Sequence, residues 1–69
     1  MVAISDMYFA RAAECAREAQ ATNLANVRMR FLRSETAWRA MGDRQLRMEN
    51  ERDRQAVEKA ARVKVPANE

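Results

Sequence analysis

Residues 21–41 read ATNLANVRMRFLRSETAWRAM, and this stretch decides the fold. It opens on Ala21, Thr22 and Asn23, where Thr and Asn favour a turn because their side chains bond their own backbone, and Asn23 is placed to cap the next helix. From Leu24 onward, residues recur at alternating steps of three and four, as on one face of an α-helix. These residues are Leu24, Val27, Phe31, Ser34, Trp38 and Met41. The stretch therefore predicts a turn followed by an amphipathic helix over about 24–41.

The residues before the turn predict another helix over about 6–21. Ser5 and Asp6 are typical of a helix start, since a serine oxygen accepts from a free backbone N–H and an aspartate suits the positive end of the helix dipole. One face of this helix carries mostly small side chains at helical spacing. They are Tyr8, Ala12, Cys15 and Ala19.

The short linker makes the two predicted helices antiparallel neighbours. The predicted fold class is therefore all-α, an antiparallel helix hairpin in which bulky side chains of the second helix meet small ones of the first. In this register Phe31 lies over Cys15, and Trp38 lies beside Tyr8 and Phe9.

Residues 43–54 are mostly charged and predict a solvated, helical C-terminal extension. Asp43 and Arg47 have the favourable orientation for an ion pair at a spacing of four residues. Gly42 stands just before this segment, as a helix C-terminal cap or as a weak point. The pattern leaves open whether residues 43–62 continue the second helix or fold back on it.

The size of the chain, 69 residues, predicts one domain, over residues 1–62. Residues 63–69 contain Pro66 and are expected to form a disordered tail. A core this small rarely supplies more than about 3–5 kcal/mol, so outside help is expected. A single cysteine, Cys15, and the lack of histidine exclude an internal disulfide and a Cys/His zinc site. Association with another chain is the aid that remains.

The residue types do not predict catalysis. With no histidine, and with Ser5 and Ser34 far in sequence from any base, the chain is expected to be no enzyme, with no cofactor and no small-molecule substrate. Cys15 is interpreted as a small buried hydrophobe, with a reactive thiol left open. No apolar run reaches the length of a membrane span, and Asp6 and Arg11 stand where a signal peptide would be apolar. A cytoplasmic location, away from membranes, is expected.

Partner binding is the predicted function. Met29 and Leu32 project opposite the apolar stripe of the second helix, where a two-helix unit leaves them in water. Two adjacent exposed apolar residues on a chain short of core indicate a second contact face, for self-association into a homo-oligomer or for another protein. With them we predict that Phe31, Trp38 and Met41 bind the partner.

A nucleic-acid interface is the alternative. The net charge is +3, and the arginines of the second helix carry most of it. Arg30, Arg33 and Arg44 fall on one flank of the stripe with no acid among them, and Arg47 follows. In this interpretation the four arginines contact phosphates. A solvated face that aids solubility is the commoner explanation of such a strip.

Residues 8–47 read YFARAAECAREAQATNLANVRMRFLRSETAWRAMGDRQLR, and this stretch resembles a group of short helical proteins of Alphaproteobacteria. Those proteins carry similar RAAEC-REAQ-AT and VR-RFLRSE-AWR-MA patterns. The resemblance implies a bacterial, cytoplasmic, helical protein and transfers no functional residue, because no activity is known for the group. Gly42 stands where the pattern has alanine.

Overall fold

Two α-helices and a short connection make up the chain, α1 over Ile4–Ala21 and α2 over Ala25–Lys64. The structure, a computed structural model, describes residues 2–64. The helices pack against each other along α1, which confirms the all-α class and the antiparallel hairpin. Neither described helix contains a stretch that is both long and apolar enough to cross a bilayer.

The second helix continues past Met41, where its apolar stripe ends, into the segment for which the sequence left two alternatives open. It runs for 40 residues to Lys64, about 60 Å at 1.5 Å per residue. Residues 43–62 therefore continue α2 and do not fold back. Residues 63 and 64, which the prediction assigned to a disordered tail, belong to α2 as well, and residues 65–69 lie outside the described part of the chain.

Beyond the end of α1, α2 is supported by its own ion pairs. Arg54 binds Glu51 at 2.6 Å and Glu58 at 2.7 Å, one turn away in either direction. Such pairs stabilise an isolated helix by a few tenths of a kcal/mol each. Among residues 2–64, the two pairs of Arg54 are the ion pairs found in the part of α2 that extends beyond α1. The predicted pair of Asp43 with Arg47 is not among them. Residues 50–62 are exposed throughout.

The N-terminus of α1 differs from its prediction. The helix begins at Ile4, with Ala3 as its cap residue and no side-chain capping bond. Ser5 does not cap its own helix, because its side chain points across to α2. Its hydroxyl donates to Glu49 Oε1 at 2.7 Å, and its backbone N–H donates to Glu49 Oε2 at 3.2 Å. The carboxylate of Glu49 thus satisfies a free N–H at the positive end of α1.

The C-terminus of α1 is also bound by a residue of α2. The guanidinium of Arg28 donates to the carbonyl of Ala19 at 3.3 Å and to that of Thr22 at 2.9 Å. The last turn of α1 has no basic residue of its own. Arg28 therefore supplies the positive charge that suits a helix C-terminus. In the connection, the hydroxyl of Thr22, rather than the predicted Asn23, accepts a bond from the N–H of Leu24 at 3.1 Å.

Small residues line the contact between the helices. The buried residues of α1 are Ser5, Ala12, Cys15 and Ala19, and Gly42 is buried on α2. A Cβ atom placed on Gly42 would lie only 2.7 Å from Cε1 of Phe9. Gly42 is therefore neither a cap nor a break in α2. Its lack of a side chain gives room to the Phe9 ring.

Gly42→Ala is expected to lower the melting temperature of the chain, because the added methyl displaces the Phe9 ring by more than the helix propensity of alanine offsets. That propensity gain is about 1 kcal/mol. In a Phe9→Ala background the same change is expected to stabilise the chain by up to about this amount. Thermal melts of the four chains, followed by circular dichroism, measure the coupling. Equal effects of Gly42→Ala in both backgrounds would contradict the close contact.

The contact of Glu49 with Ser5 predicts a pH dependence. The hydrogen bond from the Ser5 hydroxyl holds the pKa of Glu49 below its ordinary value. The stabilisation is therefore present at neutral pH and is lost as the pH falls below the ordinary range of a glutamate and through the lowered pKa. Glu49→Gln should lower the melting temperature at neutral pH and flatten its fall between about pH 5 and pH 3.

Glu58→Gln is the matched control for this prediction, because Glu58 pairs only within α2, with Arg54. It should keep the pH dependence of the unchanged chain. Melting temperatures are measured across the pH range for the three chains. If the curves of Glu49→Gln and the unchanged chain have the same slope, Glu49 does not hold the two helices together.

Candidate interaction face

The larger apolar side chains lie along one side of the hairpin, which we call the aromatic face. It carries Tyr8 and Cys15 of α1 and Phe31, Trp38 and Met41 of α2. The ring centroids of Tyr8 and Trp38 lie 5.8 Å apart, which confirms their predicted contact. Phe31 and Cys15 line one groove, as the predicted register requires. Except for Cys15, these side chains are only half-buried.

Arg11 extends the aromatic face at its edge. Its guanidinium carbon lies 5.4 Å from the centroid of the Trp38 ring, a distance at which a cation is attracted to the ring face. The same guanidinium binds Glu14 at 2.8 Å. Because Arg11 and Glu14 are both largely exposed, this pair adds little stability by itself. It does shield one side of Trp38 from water.

Two grooves flank Phe31 on this face. The first, of about 360 Å³, is rimmed mainly by α1, and beside Cys15 and Phe31 its lining holds two acidic and two basic side chains, those of Glu14, Glu18, Arg11 and Arg17. The second, of about 270 Å³, is rimmed by α2. Its lining residues are Val27, Arg30, Phe31 and Ser34. The aromatic face therefore has charges of both signs on its α1 side and Arg30 on its α2 side, with the half-buried ring of Phe31 between them.

The opposite side of the hairpin is polar. A helix turns about 100° per residue, which places Arg28, Glu35 and Arg39 on the flank of α2 that also carries Gly42. Arg39 pairs with Glu35, and Arg28 binds the end of α1. The facing part of α1 carries Phe9, over Gly42. This side has its polar groups already partnered, which distinguishes it from the aromatic face.

The structure separates the five residues predicted to bind a partner. Met29 and Leu32 are exposed by 52% and 42%, as expected for the outer side of α2. Met29 points about 160° away from Phe31 around the helix, at 100° per residue. Phe31, Trp38 and Met41 lie together on the aromatic face. Whether either group binds a partner stays a prediction.

The four arginines predicted to bind nucleic acid are all exposed. Among residues 2–64, none of them takes part in the ion pairs, which use Arg11, Arg39 and Arg54. Arg30, Arg33 and Arg44 fall within about 60° of one another around α2, and Arg47 lies about 40° beyond Arg33. Arg30 also rims the second groove, so the strip borders the aromatic face.

Sequence reasoning missed the residues that α2 contributes to the ends of α1. The charge pattern places Glu49 in the solvated extension and makes Arg28 a surface charge. Sequence reasoning also missed Ile4 and Met48, which are exposed. At helical spacing Ile4 and Met7 fall on the flank of α1 that carries Arg11. That spacing was a usable signal, whereas the contact between Ser5 and Glu49, 44 residues apart, had none.

Across residues 2–64 the structure contains no group of three His, Cys, Asp or Glu side chains placed to hold a metal ion. No family of known proteins matches the chain, and comparisons with curated proteins and with solved structures found no similar protein. The function therefore has to be inferred from the geometry of the hairpin itself.

Proposed function

We propose that this chain is a non-enzymatic helical interaction module that covers its aromatic face with another helical surface, either its own copy or a second protein. The observation that carries the proposal is the thickness of the molecule. Its backbone measures 70 × 19 × 10 Å, so the two helices form one layer. Domains normally enclose their core between at least two layers, and here the second layer is missing.

The burial of side chains supports the same proposal. The apolar residues that are buried are Ala12, Cys15 and Ala19, all small. Each fully covered large side chain contributes about 1.5–3 kcal/mol, and small ones contribute less. Phe31, Trp38 and Met41 are only half-buried, so these side chains contribute only part of the free energy that full burial would provide. A second layer over the aromatic face provides it.

The exposed area points in the same direction. The chain exposes 5830 Å², whereas a compact protein of 8.0 kDa exposes about 4,500 Å². The excess of about 1,300 Å² is larger than the ~800 Å² that each partner buries in a typical stable interface. Residues 50–62, which lie beyond α1 and are exposed throughout, account for part of this excess, and the hairpin for the rest.

Thermal stability is expected to depend on protein concentration. Phe31→Ser should lower the melting temperature and remove this dependence, because Phe31 lies between the two grooves of the aromatic face. The paired change Met29→Ser and Leu32→Ser, on the outer side of α2, is the matched control and should keep the dependence. Melting is followed by circular dichroism over a dilution series. Cooperative melting that is independent of concentration, and unchanged by Phe31→Ser, would contradict the proposal.

Nucleic-acid binding is the second candidate, favoured by the exposure of Arg30, Arg33, Arg44 and Arg47 outside ion pairs in the described range. Reversing Arg30, Arg33 and Arg44 to Glu should abolish retention on DNA and RNA columns at low salt, because phosphate contacts depend on charge and weaken as salt is added. Reversing Arg52, Arg54 and Arg62 instead changes the net charge equally and should leave most of the retention. Equal retention of the unchanged chain and the first variant would end this candidate.

A further inference from the structure

The side of α2 that faces away from α1 carries two pairs of arginines with small residues between them, and we call it the arginine face. Its members recur at alternating steps of three and four, so at 100° per residue they lie within about 100° of one another around the helix. They are Arg30, Arg33, Ala37, Ala40, Arg44 and Arg47, and all are exposed. The centre of the face lies about 170° around α2 from Gly42, which lies against Phe9 of α1. The first helix therefore covers no part of it.

The four guanidinium groups of the arginine face have no partner within the described range of residues 2–64. The ion pairs and side-chain hydrogen bonds of that range use other arginines. Two acids, Glu35 and Asp43, stand in the same stretch of α2, but at 100° per residue both fall outside the sector of the face. Glu35 is already paired with Arg39. The face is therefore a strip of positive charge with no acid within it, which favours an anionic ligand.

The spacing of the four charges along α2 fits two anionic strands. The centres of the two pairs, Arg30 with Arg33 and Arg44 with Arg47, are about 21 Å apart at 1.5 Å per residue. The inner two arginines are about 16.5 Å apart on the same scale. The major groove of a B-form DNA duplex is about 12 Å wide, and the minor groove about 6 Å. A straight helix laid across the major groove therefore has one inner arginine above the phosphates at each edge.

We propose that the arginine face binds a DNA duplex in this way, across the major groove, with one arginine pair on each phosphate backbone. This inference rests on the second candidate function and names the class of nucleic acid that the face takes. A DNA duplex carries one negative charge per about 1.7 Å of its axis, so the contact is electrostatic and weakens as salt is added.

The other side chains of α2 argue against a single strand and against the reading of base sequence. Proteins that hold single strands stack the bases on aromatic side chains. The aromatic residues of α2, Phe31 and Trp38, lie about 130–150° around the helix from the centre of the arginine face, where no base bound to the face reaches them. Ala37 and Ala40, between the arginine pairs, have no group that forms a hydrogen bond with a base edge. The face therefore recognises the phosphates of the duplex, and the aromatic face stays accessible to another protein.

The test moves one arginine pair without changing the net charge. A rearranged chain carries the four changes Ala37→Arg, Ala40→Arg, Arg44→Ala and Arg47→Ala. Its arginines form one continuous cluster on the same side of α2, and alanine and arginine are both good helix formers, so the fold is retained. The rearranged chain should bind a DNA duplex about tenfold more weakly, because only one of the two backbones is contacted.

Binding is measured by fluorescence anisotropy at low salt, with the full chain and with circular dichroism as the check of folding. The ligands are two labelled DNA duplexes of unrelated sequence, one of their single strands, and vesicles of phosphatidylglycerol and phosphatidylcholine. The unchanged chain should bind the two duplexes equally, within about threefold, and the single strand at least about tenfold more weakly.

A preference for duplexes of either sequence, lost in the rearranged chain, is the supporting result. Equal binding of a duplex by the two chains overturns the contact across the groove, and binding of the single strand as tightly as the duplex overturns the duplex as the ligand. Both results leave the second candidate function standing. Binding to vesicles without binding to DNA assigns the face to lipid headgroups and overturns the proposal. A chain that binds neither DNA nor RNA ends the second candidate function as well.

Discussion

The close approach of the two helices is the constraint on which the rest of the structure depends. Ala12 and Ala19 bring the backbone of α1 near α2, and Gly42 admits the ring of Phe9 where any side chain would collide with it. Apart from Phe9, whose ring lies over Gly42, the aromatic side chains lie on one flank of this contact, on the aromatic face. The small residues at the helix contact thus account for its tight packing, and the aromatic face beside it is half-buried.

Two charged side chains of α2 fix the register of this contact. Glu49 binds the N-terminus of α1, and Arg28 binds its C-terminus. Each matches the sign of the helix dipole at the end that it reaches. A slip of α1 by one turn would break both sets of bonds and would also move Phe9 off Gly42. The positions of the two grooves on the aromatic face are therefore as well defined as the hairpin itself.

Helical periodicity was enough to predict the hairpin, since the stripe of α2 and the small residues of α1 repeat at steps that only a helix aligns. It also placed Trp38 beside Tyr8.

The ends of the elements were less predictable. Ser5 has the same sequence context whether it caps its own helix or donates to Glu49, because that choice depends on a residue far along the chain. In sequence, Gly42 is likewise compatible with a helix end or with a close contact between helices. Only the position of the Phe9 ring in the fold shows that it is a close contact. The separation of Met29 from Phe31 was predictable, by contrast, since two positions along a helix correspond to about 200° of rotation.

The part of α2 that extends past α1 differs from the hairpin in what holds it. Its helix is supported by the ladder of Glu51, Arg54 and Glu58, which needs no neighbour. Residues 50–62 hold four basic and three acidic side chains, so neither sign dominates. Val57 is the large apolar residue that is exposed in this segment. The hairpin has the opposite character, because its larger apolar side chains are only half-buried. A partner layer over the aromatic face, as proposed, would stabilise the hairpin and add little to the extension.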